Sequence, residues 1–155
     1  MKGDERVIEL LNARLAEELG AINQYMVHAE MCENWNYGVL SEVIKKRAIT
    51  EMTHAERLIE RILFLEGRPI VSNLGKIVIG SDVPKMHAHD LDAELDAVAK
   101  YNHSAKVAAE AGDHASKMLF ESILKDEEDH VDWIEAQLDQ IEQLGLSQYL
   151  AEQIK

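Results

Sequence analysis

Apolar residues recur every three or four positions in the first part of the chain. Between about Asp4 and Asn34 this spacing is followed by Val7, Leu10, Leu11, Leu15, Ile22 and Met26. It matches the period of one face of an α-helix, so the segment predicts a long amphipathic helix. The sequence NWNYG follows, and its Gly38 predicts a turn. A second helix is predicted from about Val39 to Glu66, where Gly67-Arg68-Pro69 is typical of a helix end.

The helical period is lost over residues 70–84. This stretch, IVSNLGKIVIGSDVP, contains two glycines, several β-branched residues and a closing proline. Such a composition predicts an extended connection rather than a helix. A third helix is predicted to begin within Ser81–Pro84, where cap residues precede a proline in the first turn, and to reach about Ala111.

Two further glycines bound a fourth helix. Gly112-Asp113 predicts a tight turn, the helix runs from about His114 to Leu144, and Gly145 ends it. The remaining LSQYLAEQIK has the length of a short fifth helix. Short loops make neighbouring helices antiparallel, whereas the long connection lets the second and third helices run parallel. The predicted fold is all-α, a ferritin-like four-helix bundle in one domain over residues 1–155, with a long crossover between helices 2 and 3 and a short C-terminal helix.

The charge and cysteine content narrow the classes of function. The chain has 29 acidic and 16 basic residues and a formal net charge of −13, which argues against nucleic acid as a main partner. Cys32 is the only cysteine, which excludes an intrachain disulfide and a cysteine-rich metal site. The N-terminal MKGDERVIELLNARL has no apolar signal core, and no stretch is apolar enough to span a membrane. We therefore expect a cytoplasmic protein.

The two predicted hairpins share a repeat of 76 residues. Adding 76 to a position in the first hairpin gives the matching position in the second. Glu18, Glu51 and His54 align in this way with Glu94, Glu127 and His130. The neighbouring Leu19, Ala21, Ile22 and Tyr25 align with Leu95, Ala97, Val98 and Tyr101. The interval from the first glutamate to the E-x-x-H sequence is 33 residues in both halves. One E-x-x-H is weak evidence in so acidic a chain, but two at the same interval indicate a shared site.

The repeated residue types suit a pair of metal ions. Residues three apart on a helix differ by roughly 60° in direction and about 4.5 Å in height, so Glu51 and His54 can reach a common centre. Four inward-facing helices would offer four carboxylates and two imidazoles. A buried charge of about −4 needs compensation, which two divalent cations supply. Oxygen and nitrogen ligands without thiolate suit iron or manganese, and zinc also satisfies this chemistry.

The sequence resembles the bacterioferritins over essentially its whole length. The resemblance is carried by the opening MKGD, Glu18–Tyr25, His28-x-x-Met31, Glu51–Ala55, Arg61–Gly67, Lys76–Gly80, Glu127–Trp133 and Gln137-Leu138. One Glu from each of two helices and Glu-x-x-His from each of the other two is the ligand pattern of the di-iron carboxylate bundles.

The resemblance implies a role for each repeated residue. Glu18 and His54 would be terminal ligands of one iron, and Glu94 and His130 of the other. The bridging ligands would be Glu51 and Glu127. The family oxidises Fe(II) with O2 or H2O2 at this centre and stores ferric mineral in a hollow shell, usually of 24 subunits built from dimers. The resemblance also implies a ferredoxin-type reductant as a partner for iron release.

Met52 lies between two of these ligands but points elsewhere. One step along a helix turns it roughly 100° from Glu51, and an apolar residue at helical spacing is ordinarily packing. In bacterioferritins a Met at this position binds haem iron, one from each subunit across a two-fold axis. A thioether is a suitable axial ligand. The resemblance therefore implies a b-type haem bound through Met52 at a subunit interface.

The sequence departs from several bacterioferritins just before Glu51. Those proteins have a histidine and an aspartate that bind an extra iron on the inner wall, and the matching positions here are Lys46 and Thr50. A lysine is protonated at neutral pH and is a poor iron ligand. We therefore expect this auxiliary site to be lost.

Other residues have more ordinary interpretations. Tyr25 and Tyr101 are expected near the centre, where their hydroxyls can bind ligand carboxylates. Trp133 is either a packing residue or an electron donor, and packing is favoured. His28 is expected to be structural or at an interface. The remaining histidines are expected at the surface or at pores, namely His87, His89, His103 and His114.

Three classes of function remain open. The first is a haem-containing ferritin that oxidises and stores iron. The second is another di-iron enzyme on the same fold, such as an oxygenase, an oxidase or a peroxidase. The third is a helical cage subunit without chemistry, against which six intact ligand positions argue. The size of the assembly separates the first class from the second.

Overall fold

Five helices account for the fold of the chain. The structure is a computed structural model that describes residues 1–155. The helices are α1 (Glu5–Asn34), α2 (Gly38–Phe64), α3 (Val83–Glu110), α4 (His114–Leu144) and α5 (Leu146–Ala151). The predicted all-α bundle with a short fifth helix is confirmed. None of the helices is long and apolar enough to cross a membrane.

The helices pack as two hairpins whose contacts fix their directions. The helix α1 packs along α2, and α3 packs along α4, with further contacts between α1 and α3 and between α2 and α4. Arg14 contacts Ser104, whereas Tyr25 contacts Glu94, so α1 and α3 are antiparallel. Because α1 is also antiparallel to α2, the helices α2 and α3 run parallel, as the long connection predicts.

Two helix boundaries differ from the sequence prediction. The helix α2 ends at Phe64, two residues before the predicted Glu66, because Glu66 adopts a left-handed conformation with φ of 61°. The Gly67 amide then donates to the Ile62 carbonyl at 2.9 Å, which closes the helix. Before α2, Asn36 has φ of 63° and makes the turn, so Gly38 is the first helical residue rather than the turn residue.

The hydrophobic core is divided into two clusters by a polar layer. One cluster includes Leu11, Leu58 and Phe120, and the other includes Ile44 and Met86. On each of the four long helices, the predicted metal ligands lie in sequence between these clusters. The chain therefore buries its most polar groups in the middle of the bundle, where apolar layers protect them from water on both sides.

The long crossover lies against α1 at a close backbone contact. The Gly75 amide donates to the Ala16 carbonyl at 2.7 Å. A Cβ on Gly75 would lie 2.9 Å from the Glu17 Cα, and a Cβ on Gly20 would lie 3.1 Å from the Gly75 nitrogen. Glycine is needed at both positions because any side chain would push the two backbones apart.

Buried side chains hold the next residues of the crossover. The Val78 amide donates to Gln24 Oε1, and the Gly80 amide donates to His28 Nε2, each at 3.0 Å. Since His28 Nε2 accepts, its Nδ1 carries the proton and donates to Asp90 at 3.0 Å. His28 is completely buried, and these contacts give it a structural role.

The short helix α5 is anchored by one buried tyrosine. The Tyr149 hydroxyl donates to Gln137 Oε1 at 2.7 Å and lies 3.1 Å from His87 Nε2. The prediction that His87 lies at the surface or at a pore is wrong, because only 1% of this residue is exposed. Burial lowers the pKa of His87 to about 4, so it is neutral at pH 7.

The close contact at Gly75 can be tested by adding one methyl group. We expect Gly75→Ala to reduce the free energy of unfolding by about 1–3 kcal/mol, because backbone atoms of α1 must move. Gly38→Ala is the matched control, since a Cβ there meets nothing within 4 Å. Denaturant unfolding of both variants measures the difference. Equal stability of the two would contradict the close contact.

Candidate metal centre

The six predicted ligands converge in the polar layer. They are Glu18 on α1, Glu51 and His54 on α2, Glu94 on α3, and Glu127 and His130 on α4, and none is more than 6% exposed. They form two groups whose ligand atoms lie within 4.8 Å of one another. The first group is Glu18, Glu51, His54 and Glu127, and the second is Glu51, Glu94, Glu127 and His130. Because Glu51 and Glu127 belong to both groups, they are placed to bridge two ions.

The imidazole of His54 faces the first group. Its Nδ1 lies 3.4 Å from Glu18 Oε2, 3.3 Å from Glu51 Oε2 and 3.2 Å from Glu127 Oε1. Its other nitrogen, Nε2, lies 2.8 Å from Asp126 Oδ2, a contact that no sequence pattern indicated.

The imidazole of His130 faces the second group in the same way. Its Nδ1 lies 3.2 Å from both Glu51 Oε1 and Glu94 Oε1, and 3.9 Å from Glu127 Oε1. Each histidine thus directs one nitrogen at three carboxylates. A set of three oxygens and one nitrogen suits a divalent transition metal such as iron, manganese or zinc.

The two tyrosines hold carboxylates of the opposite half. The Tyr101 hydroxyl donates to Glu18 Oε1 at 2.6 Å, and the Tyr25 hydroxyl donates to Glu94 Oε1. The interval of seven residues puts each tyrosine on the same face as the glutamate of its own helix. The hydrogen bond nevertheless reaches the other hairpin, because α1 and α3 are antiparallel.

Several carboxylate oxygens in the centre have no hydrogen-bond partner. They are Glu18 Oε2, Glu51 Oε1, Glu94 Oε2 and Glu127 Oε1, all buried. A buried oxygen without a partner is costly, and two bound cations, one in each ligand group, would satisfy all four. In both Glu18 and Glu94, Oε1 accepts a hydrogen bond from a tyrosine hydroxyl, so Oε2 is left for a metal.

The pKa values reflect this crowding of acids. Burial, followed by repulsion from Glu18 and Glu127, raises the pKa of Glu51 well above its ordinary value. Burial and repulsion from Glu94 do the same to Glu127. Burial alone would raise the pKa of Glu94, but hydrogen bonds with Glu127 and His130 outweigh it and lower the value. The carboxylates therefore do not all ionise together unless positive charge enters.

Comparison with known proteins agrees with this geometry. The family model described as Ferritin-like domain matches residues 8–144. A bacterioferritin of Brucella melitensis biotype 1 is 42% identical over 149 residues, which cover 96% of this chain and 92% of that protein. A bacterioferritin of Rhodobacter capsulatus is 43% identical over 145 residues, which cover 94% of this chain and 90% of that protein.

The chain belongs to the bacterioferritin family. The resemblance seen in the sequence is thereby confirmed, and membership supports iron storage as the general role. A bacterioferritin of Streptomyces coelicolor, 41% identical over 97% of this chain and 90% of its own length, extends the agreement to a third relative.

A cavity of about 630 Å³ leads from the surface to the centre between α1, α3 and the crossover. It reaches from exposed Asp92 to the buried Glu18 and Glu94. At its mouth, Lys100 Nζ bridges the two helices, 2.7 Å from Glu17 Oε1 and 2.6 Å from Asp96 Oδ2. No spacing along the chain predicts this bridge, because the pairing depends on how α1 and α3 face each other.

Met52 lies outside the buried centre, as its position one step from Glu51 on the helix predicts. Met52 is 47% exposed on the outer side of α2. Thr50 Oγ1 donates to the Lys46 carbonyl at 3.2 Å. The Trp133 ring contacts the His87 ring and the Arg47 guanidinium, which fits a packing role.

The raised pKa of Glu51 predicts a gain of stability on its removal. Folded Glu51 holds a proton that the unfolded chain releases above its ordinary pKa of about 4.5, so its contribution to stability falls as the pH rises. Metal-free Glu51→Gln should exceed the wild type in stability by about 1–3 kcal/mol at pH 8 and by less at pH 5. Thermal unfolding measures this, with exposed Glu60→Gln as the control. A lower melting temperature for Glu51→Gln at pH 8 would contradict the prediction.

Proposed function

We propose that the chain is a ferroxidase that oxidises Fe(II) and stores ferric mineral inside a homo-oligomeric cage, usually of 24 subunits in this family. The observation that carries the proposal is the pair of overlapping ligand groups that share Glu51 and Glu127. The four orphaned carboxylate oxygens support it, because two divalent cations would satisfy them together.

Each ligand has a distinct part in this proposal. Glu18 and His54 bind one iron, Glu94 and His130 bind the other, and Glu51 and Glu127 bridge the pair. The distances of both Nδ1 atoms to the carboxylates support this division. Four carboxylates in a buried layer also stabilise the higher charge of Fe(III) relative to Fe(II).

The pairing of the sites matches the electron requirement of the reaction. Each Fe(II) gives up one electron, so two ions supply the two electrons that reduce O2 to H2O2, or H2O2 to water. The cavity beside Glu18 and Glu94 gives iron and oxidant a route from the surface. Buried and unpaired Cys32 fits the reducing cytoplasm as the compartment in which this would occur.

The proposed centre can be tested by the rate of iron oxidation. Aerobic Fe(II) addition to the wild type should give a rapid rise in Fe(III) absorbance. Glu51→Ala or His130→Ala should abolish that fast phase, a loss of at least about 100-fold, because each removes a ligand. Glu60→Ala, on the exposed side of α2, is the control and should keep the fast phase.

Two outcomes would contradict this proposal. Retention of the fast phase in both ligand variants would rule out the assigned centre. Light scattering on the purified protein should give a mass near 24 times the chain mass of 17.5 kDa. A stable monomer or dimer would instead favour a different di-iron enzyme on this fold.

The outer face of the first hairpin supports a haem site. Met52, Ile49 and Met26 are 47–51% exposed there, although apolar side chains of this size are usually buried. These residues fit an apolar macrocycle enclosed between two copies of the chain. We propose that Met52 from each copy binds a b-type haem, which would supply a one-electron redox group and a docking point for a ferredoxin-type reductant.

A pyridine haemochrome assay tests Met52 directly. Met52→Ala should lose at least about nine-tenths of the haem found in the wild type, since the axial ligand is removed from both copies. Met118→Ala is the matched control, because Met118 is 69% exposed on a different helix and should have no effect. Equal haem content in all three proteins would remove Met52 as a ligand.

A further inference from the structure

One contact of the centre breaks the 76-residue repeat. The ligands and the tyrosine contacts occur as matched pairs in the two halves. His54 Nε2, however, lies 2.8 Å from Asp126 Oδ2, whereas His130 Nε2 makes no hydrogen bond within the chain. The residue that corresponds to Asp126 is Thr50, 76 positions earlier.

The substitution of threonine for an acid explains the missing contact. Thr50 Oγ1 donates to the Lys46 carbonyl of its own helix at 3.2 Å. The threonine side chain is shorter than that of aspartate and carries no charge, and its hydroxyl makes no hydrogen bond with His130. The two histidines also differ in burial, with 1% of the His54 side chain exposed and 8% of the His130 side chain.

The contact determines which nitrogen of His54 is available to a metal. When Nδ1 binds a cation, the one remaining ring proton is on Nε2, where the Asp126 carboxylate accepts it. Asp126 therefore holds the ring with Nδ1 directed at Glu18, Glu51 and Glu127 and makes that nitrogen a stronger donor. His130 has no corresponding hydrogen-bond partner at its Nε2.

We propose that Asp126 is a positioning residue that makes the two metal sites unequal, with the His54 site binding a divalent cation more tightly than the His130 site. This inference rests on the proposed di-metal centre. It predicts that the sites fill in order, the first ion entering beside His54 and the second beside His130.

Calorimetric titration with Co²⁺ tests the order of filling. The full-length, metal-stripped protein should bind two Co²⁺ per chain in two steps. Asp126→Ala should weaken the tighter step by about 10–100-fold and change its visible Co²⁺ absorption, while the weaker step stays within about twofold. Asp126→Asn keeps an oxygen that can accept from Nε2 and should lie between the wild type and Asp126→Ala. The control is Asp129→Ala, which removes an exposed acid from the same helix.

Two histidine variants assign the steps and separate the possible failures. His54→Ala should remove the tighter step, and His130→Ala the weaker. If both variants still bind two Co²⁺, the proposed centre itself is wrong. If the steps are assigned as expected but Asp126→Ala titrates like Asp129→Ala, or weakens both steps equally, only the role of Asp126 is overturned.

Discussion

The fold depends on burying four carboxylates and two imidazoles in the middle of a hydrophobic bundle. Apolar clusters lie on either side of this layer, and its carboxylates and imidazoles are buried, so their charges must be compensated locally. Burial and mutual repulsion raise the pKa values of Glu51 and Glu127, which favours protons as part of this compensation in the metal-free protein. In the proposed function, metal ions would replace those protons with a stronger and better placed positive charge.

The hydrogen bonds of the two tyrosines also link the two hairpins. Each tyrosine holds one oxygen of a carboxylate from the opposite half, and each of those carboxylates leaves its second oxygen turned toward the cluster. The same hydrogen bond therefore orients a ligand and joins α1 to α3. Packing between the hairpins and the geometry of the centre are consequently parts of one arrangement.

The sequence was sufficient to predict the helices and the polar residues that converge in the middle of the bundle, because both follow regular intervals along the chain. The helical period defines the inner faces, and the 76-residue repeat identifies which polar residues share them. Contacts between helices were harder to predict from the sequence. The Tyr25–Glu94 and His54–Asp126 contacts depend on how two helices are rotated against each other. The spacing of residues within one helix does not determine that rotation. His87 was misplaced for the same reason, since its partner Tyr149 comes from a helix 62 residues away in sequence.

The crossover between α2 and α3 has a consequence for symmetry. Two separate copies of one hairpin, related by a two-fold axis, would supply all six ligands and both tyrosine contacts. Joining the hairpins in one chain turns their association into an intramolecular event with a high effective concentration. It also frees the two halves from being identical. An aspartate at position 126 and a threonine at position 50 cannot coexist in a symmetric pair of hairpins, so covalent linkage is what allows one member of a matched pair of sites to diverge from the other.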